Sequence, residues 1–419
     1  MKRVVKLSLA SAILLGVSSV SAQAENLDIL SNIKAKGELR ARYEMVDADD
    51  ATDYANANAF TSRLTVGVGA DLFGTDWLSA YVEMNDVRSL NNNYDDGYTD
   101  NGQERNDKVV DPEDTRLTQS YIDLKYGKTK LRAGRQMINL DNQRFVGASA
   151  WRQMFATFDG YTLTNNSIDN LNLFAGYITQ VNGVCRDHTL VDTRSLLLNA
   201  SYKVMDELKV TVYDYMVGQG TTTTPGSTGS DTYGIALTGN VKVADNTKLD
   251  YRAEYAKQTD ASMENSDVSG DENIDADYMN FELNANVSGF LVGAGYEVLS
   301  GAEGTDTRFT TPFYSAHPFH GFADIFGATP AKGLEDMSLA MGYTSKDFGS
   351  LKAIYHDFTA EVDNTDYGTE FDVVYSRAIP GVNNLSGMLK YADFNADSEF
   401  TYVDTTKVMA MLTYTFATK

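Results

Sequence analysis

Phe290–Ser300 reads FLVGAGYEVLS. Phe290, Val292, Ala294, Tyr296 and Val298 fall on one side of an extended chain, and Gly293, Gly295 and Glu297 on the other. Successive side chains of a strand point to opposite faces, so this spacing predicts a strand with one apolar and one polar face. The period recurs along the chain. In DTYGIALTGNVKV, Tyr233, Ile235, Leu237, Val241 and Val243 oppose Gly234, Ala236, Thr238, Asn240 and Lys242. In TKLDYRAEYAK, Leu249, Tyr251, Ala253 and Tyr255 oppose Asp250, Arg252 and Glu254.

The connections alternate as well. Short links are predicted at Phe73 to Asp76, Gly127-Lys128, Asn165 to Asp169, Met205-Asp206, Ala244-Asp245, Ser288-Gly289, Asp347-Phe348 and Pro380 to Asn383. Longer polar loops lie near 47–58, 89–115, 137–150, 182–191, 218–230, 259–276, 301–333, 360–367 and 396–401. These divide the chain into eighteen strand-like segments. The expected fold is therefore all-β, a transmembrane up-and-down antiparallel β-barrel of 18 strands with tight turns at one end and extended loops at the other. A soluble solenoid or set of sandwiches would bury the apolar faces inside instead. Tyr and Phe near the strand ends fit the aromatic girdles of a membrane barrel. The last segment, TKVMAMLTYTF, resembles a closing barrel strand, with Ala417, Thr418 and Lys419 following Phe416.

The N-terminus carries Lys2, Arg3 and Lys6, an apolar or small run from Leu7 to Val20, and Ala22-Gln23-Ala24. That is the pattern of a secretory signal peptide over residues 1–24, leaving 25–419 as the barrel. Its removal lowers the 35 Lys and Arg by three, to 32, against 58 Asp and Glu, for a net charge of −26. Such acidity argues against nucleic acid as a partner. One cysteine, Cys185, rules out an internal disulfide.

Charge is sorted by place. Asn91–Thr115 holds eight acidic residues against Arg105 and Lys108, and Asp260–Asp277 holds seven and no basic residue. The strand GELRARYE alternates Leu39, Ala41 and Tyr43 with Glu38, Arg40, Arg42 and Glu44. By the same parity Arg63, Lys125, Lys130, Arg132, Arg194, Arg252 and Lys390 point inward, among Glu83, Asp123, Asp250, Glu254, Glu282, Glu297 and Asp372. Arg or Lys at mid-depth on a lipid face costs about 2–4 kcal/mol, so alternation sends these groups into the lumen. There arginine's planar fork suits carboxylates. Pairing with neighbouring wall carboxylates is the plainer use of any one of them.

Thr129–Gly160, TKLRAGRQMINLDNQRFVGASAWRQMFATFDG, concentrates Lys130, Arg132, Arg135, Arg144 and Arg152 with Gln136, Gln143 and Gln153, against Asp141 and Asp159. From Gly134 on, its Gly-Arg-Gln, Asn-Gln-Arg-Phe-Val-Gly, Trp-Arg-Gln and Phe-Asp-Gly resemble the signature of the alginate-export family of outer-membrane porins. HPFHGFADIFGATPAKGLEDMSLAMGY, His317–Tyr343, matches a second family pattern, with Phe322 where Trp is common. The resemblance implies an eighteen-stranded monomer with an arginine-rich lumen for an anionic polysaccharide or smaller anions, and no enzymatic chemistry. It maps substrate contacts onto Arg135, Arg144 and Arg152, with Gln136, Gln143, Gln153 and Asp159 as hydrogen-bonding partners. By parity Arg135 and Asp159 fall on the lipid side unless a bulge intervenes.

The expected architecture places a constriction loop near 137–150 and a long packed loop at 301–333, whose Pro312, Pro318 and Pro330 and aromatic cluster suit a packed lid. His317 and Asp324 suit structural hydrogen bonds. His188, His317, His320 and His356 fall in no nucleophile motif, so a barrel lipase or protease is disfavoured. The expected function is passive passage of anionic solutes, or of a uronate polysaccharide such as alginate, through the outer membrane of a Gram-negative bacterium. A general diffusion porin is the alternative. Outer-membrane lipid, lipopolysaccharide and the barrel-assembly machinery are the expected partners, with no cofactor and no metal ligand.

Overall fold

The computed structural model describes residues 29–49, 54–99, 101–185, 189–218, 229–263, 274–302, 308–397 and 402–418. The expected signal peptide lies outside these residues. The periodic segments form eighteen strands: β1 Leu30–Ala48, β2 Ala57–Leu72, β3 Leu78–Ser89, β4 Asp114–Tyr126, β5 Thr129–Gln136, β6 Thr157–Asn165, β7 Leu171–Asn182, β8 Thr189–Met205, β9 Leu208–Val217, β10 Ser230–Ala244, β11 Thr247–Asp260, β12 Asp275–Val287, β13 Phe290–Leu299, β14 Leu334–Ser345, β15 Gly349–Thr359, β16 Asp366–Ala378, β17 Leu385–Ala396 and β18 Thr405–Ala417. Every neighbouring pair is antiparallel, and β1 pairs with both β2 and β18, so the sheet closes on itself. Closure removes the edge strands that would otherwise present unpaired backbone groups.

Exposure separates the membrane barrel from the soluble alternatives. Val292 and Met341 are each 67% exposed and Leu339 is 61% exposed, although all three sit on the mainly apolar parity of their strands. An apolar face presented outward around a closed sheet is suited to lipid, and a sandwich would have buried it. The inward parity carries the buried polar set, including Arg42, Glu44, Arg63, Glu83, Glu254, Glu297 and Asp372.

The bore is not uniform. Towards the long-loop end, inward aromatics of the wall (Tyr213, Tyr215, Tyr278, Phe358, Phe394) pack with Phe309, Phe313 and Phe326 into one buried cluster. These last three belong to L7, the seventh long loop, described at 300–302 and 308–333. The third, L3 (residues 137–156), contributes Ile138, Val146 and Phe145 to the same cluster. Below L3, against β1–β4 and β18, lies a cavity of about 640 Å³ lined by Lys36, Glu38, Arg40, Arg63, Glu83 and Gln119 among others.

A glycine sets the start of L3. Gly134 has φ +126°, and a Cβ there would lie 2.9 Å from the Cα of Tyr121. Only glycine tolerates that approach and that φ. The β6–β7 register shifts beside its partner Gly160, between Asp159 and Gly160.

Candidate functional site

Arginines on the first two strands hold L3 by its backbone. Arg42 Nη1 donates to the carbonyl of Trp151 at 2.6 Å, and Arg40 Nη1 to those of Ala150 and Trp151 at 3.1 and 3.3 Å. Arg63 Nη1 donates to the carbonyls of Arg152 and Gln153 at 3.2 and 3.0 Å. Each guanidinium also meets carboxylates: Arg42 pairs with Glu44 at 3.1 Å and with Asp111, while Arg40 and Arg63 share Glu38. Asp111 also accepts from the Gln153 backbone N–H at 2.9 Å. Arg42 is only 1% exposed, and a buried cation of this kind persists because its partners are fixed around it.

The tip of L3 crosses to the far wall. Asp141 accepts from Asn199 of β8 at 2.8 Å, and Asn142 lies 3.4 Å from Arg252 of β11, which is itself held by Glu254. Phe145 packs edge-on to Tyr278, with ring centroids 5.0 Å apart. Arg144, fully buried, pairs through Nε with Glu297 at 2.6 Å and lies 4.8 Å from the ring of Phe319. Its pKa is raised: burial opposes the charge, and Glu297 overcomes that. His320 Nε2 stands 2.7 Å from Glu297 Oε2 and 3.1 Å from Arg144 Nη2. Glu297, His320 and Asp336 bring potential metal-ligand atoms within 4.8 Å of one another, but Arg144 is the cation that meets Glu297.

L3 and L7 are joined to each other. Val146 and Phe313 form an isolated parallel bridge, Gly147 N–H donates to the Phe313 carbonyl at 2.7 Å, and Ser315 N–H donates to that of Gln143 at 3.1 Å. A charged latch completes the joint. Arg152 reaches Glu44 at 3.3 Å and Asp324 at 3.0 Å, and Lys407 of β18 reaches the same oxygen of Asp324 at 3.3 Å. His317 Nδ1–H donates to Asp324 at 2.8 Å, and its Nε2 accepts from Lys390 of β17 at 2.7 Å. The two contacts select this tautomer. The ring stacks on Trp151 at 4.1 Å with an interplanar angle of 6°. Burial pushes the His317 pKa down to about 4, so the ring is neutral at ordinary pH. Burial works against the Asp324 carboxylate, but His317, Lys407 and Arg152 hold its pKa well below the usual range. L7 is tied to β16 as well: Phe322 N–H donates to Asp372 at 3.0 Å and Ala323 N–H to Glu370 at 2.7 Å.

The structure thus brings Arg40, Arg42, Arg63, Arg144, Arg152, Arg252, Gln143 and Gln153 together around L3. The loop runs to residue 156, beyond the expected 150, so Arg152 and Gln153 lie within it. Gln136 points inward and accepts from Thr162 at 2.8 Å. Arg132 stands lower on the wall, in a two-point pair with Asp123 at 2.6 and 2.8 Å, and Lys130 is nearer the short-turn end. Two expected contacts are corrected. Arg135 and Asp159 pair with each other at 2.7 and 2.8 Å on the parity of Leu131, Tyr161 and Leu163, which faces outward. Arg194, expected inward, shares the exposed face of Leu198 and pairs with Asp192. Lys407, Asp111 and Trp151 were missed as site residues. The inward parity of Lys407 was readable, opposite Val408, Ala410 and Leu412, whereas Asp111 and Trp151 sit in loops without a period.

Chemically, the assembly is a diaphragm of matched fixed charges: guanidinium and ammonium groups alternate with carboxylates across the bore. The family model described as alginate export matches residues 32–414. No curated protein matches the sequence. Among solved structures, Acinetobacter baumannii OccAB4 is similar at 15% identity and TM-score 0.68, covering 94% of this chain and 100% of its own. Pseudomonas aeruginosa OpdK, solved with vanillate, is 12% identical with TM-score 0.70, covering 93% and 100%. Pseudomonas aeruginosa OpdL is 15% identical with TM-score 0.69, covering 93% and 99%. At these identities the likeness speaks for the fold. With the family model spanning nearly all eighteen strands, the chain belongs to the alginate export family.

Proposed function

We propose that the protein is an outer-membrane channel through which anionic solutes, including uronate-containing glycans, pass by diffusion. On this reading residues 1–24 are a signal peptide, the long loops face outward from a Gram-negative cell and the short turns face the periplasm. The supporting observation is the segregation of cations: in a chain of net charge −23, Arg40, Arg42, Arg63, Arg144, Arg152, Arg252, Lys390 and Lys407 all meet at the level of L3 inside the barrel. Fixed guanidinium groups in a bore act on a permeant at short range, where screening beyond about 8 Å removes the field of the acidic rim. Vanillate, in the OpdK structure, is itself a carboxylate.

A second reading, a diffusion porin of little selectivity, is favoured by the pairing of these cations with Glu38, Glu44, Glu254, Glu297 and Asp324. Swelling of liposomes containing the purified protein separates the two. The anion channel predicts faster influx of galacturonate than of arabinose or lysine at equal osmolarity. Equal rates for the three solutes would favour the unselective porin.

A further inference from the structure

Three hairpins at the short-turn end carry the same unusual pair. Lys125 stands directly opposite Lys130 across β4–β5, Lys203 opposite Lys209 across β8–β9, and Lys242 opposite Lys248 across β10–β11. Like charges directly opposed across a ladder destabilise it, and neutral residues there would spare the sheet that repulsion. All six point into the bore. Lys209 shares its face with the buried Thr211 and Tyr213, Lys248 with Glu254 and Ala256, and Lys125 with Asp123. The outward neighbours Tyr202, Val204 and Val243 are exposed and apolar, so the lysines are not aimed at lipid headgroups.

Counter-charges are sparse. Lys203 and Lys242 each meet only a turn aspartate three residues on, Asp206 and Asp245, at 2.5 and 2.8 Å, with both partners exposed. Lys125, Lys130, Lys209 and Lys248 make no ion pair among the described residues. Nearby Asp123 is engaged by Arg132, and Asp250 is exposed on the inner face beside Lys248. In the diaphragm, by contrast, the arginines are bound to carboxylates or loop carbonyls.

We infer that this half-collar of lysines, running along the wall from β4 to β11, is a binding site for a linear polyanion at the short-turn mouth, separate from the L3 cluster. On the channel reading above, that polyanion is a chain of carboxylated sugars. Lysines on the inner face of the wall suit a thin flexible chain that enters the bore, whereas a folded acidic protein would meet only the rim. The collar deepens the channel reading above, on which its orientation rests: the periplasmic mouth gathers the chain before it reaches L3. Lysine serves because its ammonium is a mobile, well-hydrated point charge that holds a moving chain loosely.

The test uses the full chain in neutral detergent and an oligogalacturonate about ten sugars long as the probe. Exposed charge contacts are individually weak but six act together, so replacing all six lysines with glutamine is expected to weaken binding by about tenfold or more. The six Lys→Arg changes are expected to preserve it. Wild-type affinity is expected to fall between about 0.05 M and about 0.5 M salt as screening shortens. Should the sextuple variant not fold, each Lys-pair double variant is expected to lose about two- to threefold. Undiminished binding by the glutamine variants overturns the collar, as does binding of polyglutamate without binding of the oligogalacturonate. If wild type fails to bind the probe yet admits galacturonate into liposomes, the collar falls and the channel reading stands. If the lysines prove necessary for binding but no anion is admitted, the collar stands and the channel reading falls.

Discussion

Arg144 and His317 act in different ways at the same joint. Arg144 is a permanent charge whose burial is tolerated because Glu297 meets it at 2.6 Å. Arg144→Ala would leave Glu297 buried beside His320 without its main counter-charge. Breaking such a pair costs about 3–5 kcal/mol. Amide exchange at Asn142–Val146 is therefore expected to quicken by more than about a hundredfold, and unchanged protection would show that Arg144 does not hold the tip. His317 is the titratable member, facing Asp324, Lys390 and Arg152. Its folded pKa, about 4, lies below the ordinary value of 6.5, so the neutral ring stabilises the latch above pH 6.5. That contribution declines as pH falls from 6.5 towards about 4, because the open state takes up the proton more readily. In a Trp77→Phe background Trp151 is the remaining tryptophan, and its emission is expected to change over that window through loss of the His317 stack. A pH-independent spectrum, or the same titration in His317→Gln, would contradict this.

At the scale of the element, L7 is docked by its backbone. Gly321 has φ +81°, and a Cβ there would collide with the carboxyl group of Glu370. Gly321→Ala is expected to displace the Phe322 and Ala323 amides from Asp372 and Glu370. Two hydrogen bonds, at about 0.5–1.5 kcal/mol each, are at stake. Limited proteolysis within 308–333 should accelerate while the barrel still resists heat, and unaltered cleavage would mean the loop is held elsewhere. The strands behind this dock were legible from sequence because one face meets lipid and the other does not, as Val292 and Glu297 show. The two loops' contacts were not. Phe145 finds Tyr278, and Gln143 finds Ser315, through a tertiary fold with no period to read. Motif and parity disagreed at Arg135, and parity gave the observed side. The motif marked a family pattern, whereas alternation reports where a side chain points.

For the whole molecule, charge is layered along the bore: acidic residues concentrate in several long loops, matched pairs occupy the diaphragm, and lysine pairs line the short-turn mouth between β4 and β11. The layers differ in exposure, the diaphragm pairs being buried and the mouth lysines mostly exposed, and salt screens exposed charges far more than buried ones. Raising salt is thus expected to leave the buried L3 pairs intact while weakening anion capture at the mouth, measurable as a salt-dependent loss of block by added oligogalacturonate. Block unaffected by salt would point to contacts other than charge. The most direct measurement is the reversal potential of the purified protein in a planar bilayer under a potassium chloride gradient. A lumen whose fixed cations face the permeant predicts a potential of the sign set by chloride permeating faster than potassium. A potential of the opposite sign would contradict the account.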